Sequence, residues 1–500
     1  MRAAPRGLRD LSRPLAVAAL LGLVACSGAG LGIGTEDAGA DAGGNGDAGA
    51  DAGADAGTTD AGADAGVDAG TDAGADAGTT DAGADAGPAD AGADAGTDGG
   101  SADAGSDGGT VSIPTRCNGQ VATVYSPVGT LPSAPSSLTV PSGFTLTAIA
   151  KISGARELAA LPNDDLLVAT NGGKLWLIPA AEADGNPGAP TTFATFSDTP
   201  AQGLAYSAAT CTVYVATQYG LYSMAYVDGQ LSSSTGAAIA GVRTGSPIQG
   251  GDGDVHVTSS VTVAGNALYV GVGSSANAGV ETDPTRAAVL RFDLDGHNMT
   301  RKATRVRNAI ALATNPATGT VWIGGAGQDN LPHGHPYEYF DALTAHDGLA
   351  DYGWPNCEED HHAYISGSDC SATVQPRVEL PAYSTLIGAV FYPADQAGKF
   401  AFPSAWRGLY IAAHGSWHST NNVFDAPPRV AFVPITGDVP ATDVDWSDPS
   451  KQWVEFGGGF QAADGKSRLA RATGITVGAK GSLFVSEDQN GYILRIRPAP

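Results

Sequence analysis

The chain has 500 residues with 52 acidic and 26 basic side chains, a formal net charge of −26. Residues 1–34 carry +3, residues 35–110 carry −18, and residues 111–500 are left with −11. An acidic domain without a basic stripe argues against nucleic acid as a partner, and it makes any local group of arginines informative.

The chain begins with Arg2, Arg6, Arg9 and Arg13, followed by the apolar run from Leu15 to Val24. This is the pattern of an export signal over residues 1–25, and the run is too short to span a bilayer as a stable helix. It ends in Leu23-Val24-Ala25-Cys26, which resembles the lipobox of bacterial lipoproteins. The resemblance implies lipidation of Cys26. Ser27 after it favours the outer membrane, so the protein is expected on the periplasmic or cell surface, in contact with the membrane through its anchor only.

Residues 26–110 form a low-complexity linker dominated by "DAGADAGTTDAGADAGVDAG" and its variants. Such a segment has almost no large apolar side chain, cannot offset its ordering entropy and is expected to be disordered. It reads as a solvated spacer with a mean span of about 50 Å.

Four cysteines follow Cys26: Cys117, Cys211, Cys357 and Cys370. An even number in an exported domain predicts two disulfides. Cys357 with Cys370 would close a short loop, and Cys117 with Cys211 would tie the N-terminal segment to the body. No CxxCH motif offers a covalent haem.

From residue 111 onward helical periodicity is absent, and alternating apolar runs are bounded by Gly, Asn, Asp and Pro, so this part reads as all-β. One unit recurs: a polar turn, an apolar alternation, small residues, a second turn and a second alternation. Its instances include "NDDLLVATNGGKLWLIP", "CTVYVATQYGLYSMAYV", "TGTVWIGGAGQDN" and "KGSLFVSEDQNGYILRIRP". The first apolar anchors are Leu166, Val213, Leu268, Val321, Leu409 and Leu483, at intervals of 47, 55, 53, 88 and 74. A period of this size fits a four-stranded blade, so residues 111–500 predict a six-bladed β-propeller with insertions in its later blades. The long insert near 327–390 would wall a pocket.

Polar side chains stand at comparable places before several of these units. His256, with Asp252 and Asp254 beside it, precedes the third; Arg307 and Asn308 precede the fourth; Lys466, Arg468 and Arg471 precede the sixth. In a propeller, equivalent places in different blades converge on the axis. One imidazole and several guanidiniums would then face one cavity, suited to proton abstraction and to a carboxylate or phosphate ligand.

The stretches "AQGLAYS" (201–207), "HVTSSVTVAGNALYVGVGSSAN" (256–277), "RVRNAIALATNPATGTVWIGGAGQDNLP" (305–332), "DYGWPNC" (351–357) and "FPSAWRGLYIAAHGSW" (402–417) resemble the soluble quinoprotein glucose and sorbosone dehydrogenase family, in its aldose sugar dehydrogenase-like branch. The resemblance covers most of 140–498. It implies a six-bladed propeller that oxidises a sugar hydroxyl with pyrroloquinoline quinone (PQQ) and calcium. Electrons would pass to an external acceptor, a quinone or cytochrome.

By the same resemblance His256 matches the general base and Arg307 the arginine that polarises the quinone. Asn308 matches the asparagine beside it, and Gln202 a glutamine near the base. Arg468 and Arg471 fall where arginines hold the cofactor's carboxylates, and the resemblance does not choose between them. His414 stands near the place of a cofactor-binding lysine. Gly327, Gln328 and Asp329 fall where backbone carbonyls hold calcium. Ala309 and Ala311 replace a proline and a glycine of the family's Arg-Asn-Pro-x-Gly-Leu, which is expected to alter the backbone path that aims Arg307. His333 and His335 stand where acidic residues are usual, leaving Glu338, Asp341 and Tyr352 of a second calcium cluster. The alternative is a non-catalytic propeller that binds a glycan or protein.

Overall fold

The computed structural model describes Cys117, residues 125–243 and residues 255–500. The export signal, Cys26 and the acidic linker lie outside the described residues, as do Asp252 and Asp254.

Six antiparallel sheets surround an axis. Their innermost strands are Ala155–Ala160, Gly203–Ser207, Ser259–Ala264, Leu312–Thr314, Leu386–Phe391 and Ala472–Val477. Each of the first five sheets then steps outward strand by strand in sequence order. The described residues thus form a six-bladed β-propeller, as the repeat count predicts. All six anchors lie on the second strand of their blade, and all are fully buried. A strand second from the axis is covered by a sheet on each side. It therefore carries apolar residues on both faces and gives the strongest repeated signal.

The last blade uses both ends of the described chain. Phe144–Lys151 pairs antiparallel with Tyr492–Pro498 and becomes the outer strand of the sheet built from 472–498. This closes the ring without an unpaired seam between first and last blades.

The core lies between blades rather than at the axis. Six apolar clusters occupy the six seams between neighbouring sheets. At the seam of blades four and five, Trp322 is fully buried, stacks on Phe340 with centroids 5.8 Å apart, and donates its Nε1–H to Asp438 Oδ1 at 2.9 Å. Near the axis the inner strands press on one another. A Cβ at Gly474 would stand 2.2 Å from Arg156 O, and one at Gly388 2.3 Å from Thr473 O. Only glycine permits that approach.

The long interval before Leu409 is an excursion of blade four between its strands Glu338–Asp341 and Val378–Leu380. It adds Ala350–Asp351 as a parallel strand to the edge of blade three and forms a small hairpin from Cys357–Glu358 and His362–Ala363. Disulfides join Cys357 to Cys370 and Cys117 to Cys211. The first closes this excursion, and the second ties a residue preceding the first strand to the inner hairpin turn of blade two.

Candidate functional site

Each inner strand begins, and each second strand ends, at the same end of the axis. A cavity of about 280 Å³ opens there. Arg156 enters it at the start of the first inner strand, His256 before the third, Arg307 and Asn308 before the fourth, Thr385 before the fifth and Arg471 before the sixth. Turns that follow second strands supply Asn277, Gly327, Gln328, Asp329, Ser416, Trp417 and His418. The convergence expected of equivalent positions is therefore present for His256, Arg307, Asn308 and Arg471.

His256 is 5% exposed and firmly held. Its Nδ1 lies 3.0 Å from Ser274 O and 2.9 Å from Ser274 Oγ. The Ser274 hydroxyl donates its own proton to Ala276 O at 2.6 Å, so both contacts require a proton on Nδ1. In the neutral ring the lone pair is then on Nε2. Two buried arginines clasp the surrounding backbone. Arg243 donates to His256 O and Thr258 O, and Arg286 to Gly273 O and Ser274 O. Burial, then the charge of Arg307, then Arg286 and Arg243, hold the imidazole well below its ordinary pKa, with the Ser274 bond opposing. The ring is therefore neutral at physiological pH, the state a general base needs.

Arg307 is 9% exposed and gripped from one side. Its Nε donates to Asn277 O at 3.1 Å, and its Nη2 to Asn277 Oδ1 at 2.9 Å and to Asp329 Oδ2 at 2.8 Å. The other Asp329 oxygen meets His418 Nε2 at 2.9 Å. Ala309 and Ala311 are buried, and neither adopts a positive φ. Ser260 Oγ donates to Ala309 O, and Gly324 N to Ala311 O. The path that presents Arg307 is thus held by backbone hydrogen bonds, with no positive φ at positions 309 and 311.

A second Arg–Asp–His group lies beside the cavity, which its Arg156 lines. Arg156 Nη2 is 3.0 Å from Asp488 Oδ2, and His414 Nε2 is 3.0 Å from Asp488 Oδ1. Arg471 donates to His414 O at 3.1 Å and to Gly415 O at 3.0 Å. Burial pushes the His414 pKa down to about 4, with Asp488 opposing. Burial alone would push Asp488 up, but His414 and Arg156 outweigh it and hold it well below the carboxylate range.

Two buried carboxyls stand by the turn at 326–329. Glu358 Oε1 accepts from Gln328 Nε2 at 2.9 Å, and Glu338 Oε2 from Leu386 N at 3.3 Å. Burial pushes both up to about 8, with Arg307 opposing.

Three of the cofactor candidates do not line the cavity. His414 is fully buried and turned toward Asp488; four residues on, past Gly415 with its φ of 80°, His418 carries its ring to the cavity instead. Arg468 lies over the Phe424 ring at 3.8 Å and donates to Ser416 O, which leaves Arg471 as the arginine of that pair at the cavity. Gln202 is fully buried, and neither atom of its amide meets a protein partner among the described residues.

The remnants of the second calcium cluster part company. Asp341 is saturated by His346 Nε2, Tyr352 OH and Arg377 N, while Glu338 faces the cavity. His335 meets Glu359, His361 meets Thr373, and His333 and His362 lie beside Tyr383 and Tyr364. Among the described residues no three His, Cys, Asp or Glu side chains form a metal site.

Sequence reasoning missed Arg156, Asn277 and His418. Arg156 had a signal, because "GAR" opens the first inner strand as "RAT" opens the sixth. Asn277 and His418 had none, since both follow second strands in turns of unequal length.

No family model matches the chain, and neither does any curated protein. Solved structures do. The holo form of the pyranose dehydrogenase PQQ domain from Coprinopsis cinerea aligns with a TM-score of 0.59 at 17% identity, over 75% of this chain and 100% of that one. The iodide structure of the Trichoderma reesei Carbohydrate-Active Enzymes Family AA12 aligns with a TM-score of 0.58 at 18% identity, over 74% and 100%. A structure described as glucose dehydrogenase aligns with a TM-score of 0.51 at 17% identity, over 71% and 100%. At these identities the likeness is one of fold. The fold is shared with proteins of the kind the sequence resembles.

Proposed function

We propose that this protein is a PQQ- and calcium-dependent sugar dehydrogenase that oxidises an aldose or related hydroxyl and passes electrons to an external acceptor. The observation that carries the reading is a neutral His256, with its proton fixed on Nδ1, sharing a cavity with Arg307.

The residues present fit the cofactor. Arg156, Arg307 and Arg471 line one cavity of an acidic domain, which suits a polycarboxylate. Asn308 Oδ1 is buried without a protein partner among the described residues. A Cβ at Gly327 would stand 2.3 Å from Pro336 Cγ, so that turn is a tight glycine cradle. Backbone oxygens of Gly327 and Gln328 are hard donors of the kind calcium prefers. The Asp329 carboxylate is already engaged by Arg307 and His418, which makes it an anchor for those two side chains.

In this reading His256 Nε2 takes the proton of the sugar hydroxyl, and the Ser274 carbonyl stabilises the imidazolium that forms. Arg307 would hold its positive charge toward a ligand in the cavity. Arg156 and Arg471 orient the anionic end of the cofactor. When bound, PQQ supplies an acceptor for the hydride from the sugar carbon, with calcium as its Lewis acid. Lipidation at Cys26, export and an outer-membrane location belong to the same proposal and rest on residues 1–26.

Reconstitution of the full chain with PQQ and calcium tests it. The expected result is a bound-quinone absorption spectrum that bleaches on adding an aldose and recovers with a dye acceptor. His256→Gln is expected to lower kcat by about 100-fold or more while leaving the cofactor spectrum in place. Failure of PQQ to bind the wild-type chain overturns the reading.

A further inference from the structure

We propose that Asn277 is the positioning residue of this site: it sets the plane of the Arg307 guanidinium and fastens it to the turn at 327–329. The geometry stands by itself, and its catalytic meaning rests on the function proposed for Arg307.

Asn277 lies in the cavity wall after the second strand of blade three. Its carbonyl oxygen accepts from Arg307 Nε at 3.1 Å and from Trp354 Nε1 at 3.0 Å. Its Oδ1 accepts from Arg307 Nη2 at 2.9 Å and from Asp329 N at 2.8 Å. Its Nδ2 donates to Asp329 O at 3.1 Å. One residue thus joins an inner-strand entry, the 327–329 turn and the excursion that carries Trp354.

The chemistry asks for a primary amide. Position 277 must accept from Arg307 and from Asp329 N, and also donate to Asp329 O. A carboxylate supplies the acceptors but sets an oxygen against Asp329 O. A methyl group supplies neither. Because the amide is neutral, Arg307 is oriented without being neutralised a second time. Nε and Nη2 are both committed, while Nη1 makes no protein hydrogen bond among the described residues. The fork therefore presents one edge to a ligand, and Asn277 decides which edge.

The arrangement also bears on the base. His256 is faced by the charges of Arg307, Arg286 and Arg243. Arg286 and Arg243 are fixed by backbone carbonyls, whereas Arg307 is fixed by Asn277 and Asp329.

The test uses the full chain with Asn277→Ala and Asn277→Asp, each alone and combined with Arg307→Lys. The first readout is the dissociation constant of PQQ with calcium, followed by absorbance. Asn277→Ala is expected to weaken PQQ about 10- to 100-fold. That factor should collapse to about 2-fold or less in the Arg307→Lys background, because the residue acts through Arg307. An equal loss in both backgrounds overturns the proposal.

The second readout needs no cofactor. In the apo protein the imidazole of His256, followed by nitrogen-15 NMR, is expected to titrate about half a unit or more higher in Asn277→Ala than in wild type. Asn277→Asp keeps the acceptors for Arg307 and loses only the donor to Asp329 O, so it should weaken PQQ less than Asn277→Ala does; a larger loss than in Asn277→Ala overturns the positioning role. An unchanged His256 titration in Asn277→Ala overturns the positioning role even if PQQ never binds. If the titration shifts and PQQ does not bind, the positioning stands and the function proposed above falls.

Discussion

The cavity is flanked by two groups of the same composition. Arg156, Asp488 and His414 form one; Arg307, Asp329 and His418 form the other. In the first the side chains of Arg156, Asp488 and His414 are 2%, 6% and 0% exposed. In the second those of Arg307, Asp329 and His418 are 10%, 21% and 23% exposed. The same three residue types therefore serve two purposes. The dry group is a strut joining the first, fifth and last blades, where an unpaired charge has no water to turn to. The wet group can exchange partners with a ligand at small cost, because solvent stabilises each charge when the pair opens.

The largest effect that separates them is expected from Asp488→Asn. It leaves Arg156 buried without the carboxylate it faces, and the loss should be about 3–5 kcal/mol in chemical denaturation. A loss below about 1 kcal/mol would erase the distinction between the two groups.

Next comes pH. His414 is neutral in the fold with a pKa near 4, against 6.5 unfolded. Its folded value is depressed, so the unfolded chain binds the proton first as pH falls. The stability it contributes is full above pH 6.5 and is lost toward pH 4, in total about 3 kcal/mol. His256 acts in the same direction. Glu338 and Glu358, raised from 4.5 to about 8, act oppositely and lose stability as pH rises between those values. The difference in stability between wild type and His414→Gln, measured from pH 4 to 8, cancels the common carboxyl contribution. It should slope below pH 6.5 and flatten above it. A flat difference throughout would contradict a neutral, buried His414.

The smallest effect on stability belongs to Asp329→Asn, expected to change unfolding free energy by about 1 kcal/mol or less. Its effect on ligand binding should be the greater one, since it frees Arg307 and His418 at the cavity. PQQ affinity that changes in step with stability alone would show the wet group to be another strut.

The two groups also mark where sequence reading succeeds. Arg471 directly precedes its inner strand, Arg307 stands five residues before its own and Arg156 is the second residue of its own, and a strand entry can be counted from the alternation that follows it. His418 cannot be counted so, because its place depends on how the turn after Ala413 folds. Gly415 and the hydrogen bonds from His414 N to Thr385 O and from Gly415 N to Ser384 O send position 414 inward and position 418 to the cavity. Asn277 owes its role to Arg307, Asp329 and Trp354, which lie 30, 52 and 77 positions away.

The sequence by itself determined the six repeated hairpins, the buried anchors on their second strands, the cysteines available for pairing and the entry points of His256, Arg307 and the segment holding Arg468 and Arg471. Those features follow from period-two alternation and from local turn chemistry, which a linear chain displays. Only the tertiary structure decided which of two histidines reaches the cavity, which arginines are wet or dry, and which amide aims Arg307. Those outcomes come from contacts between blades and from the withdrawal of water at one end of the axis, and neither is written in the spacing of neighbours along the chain.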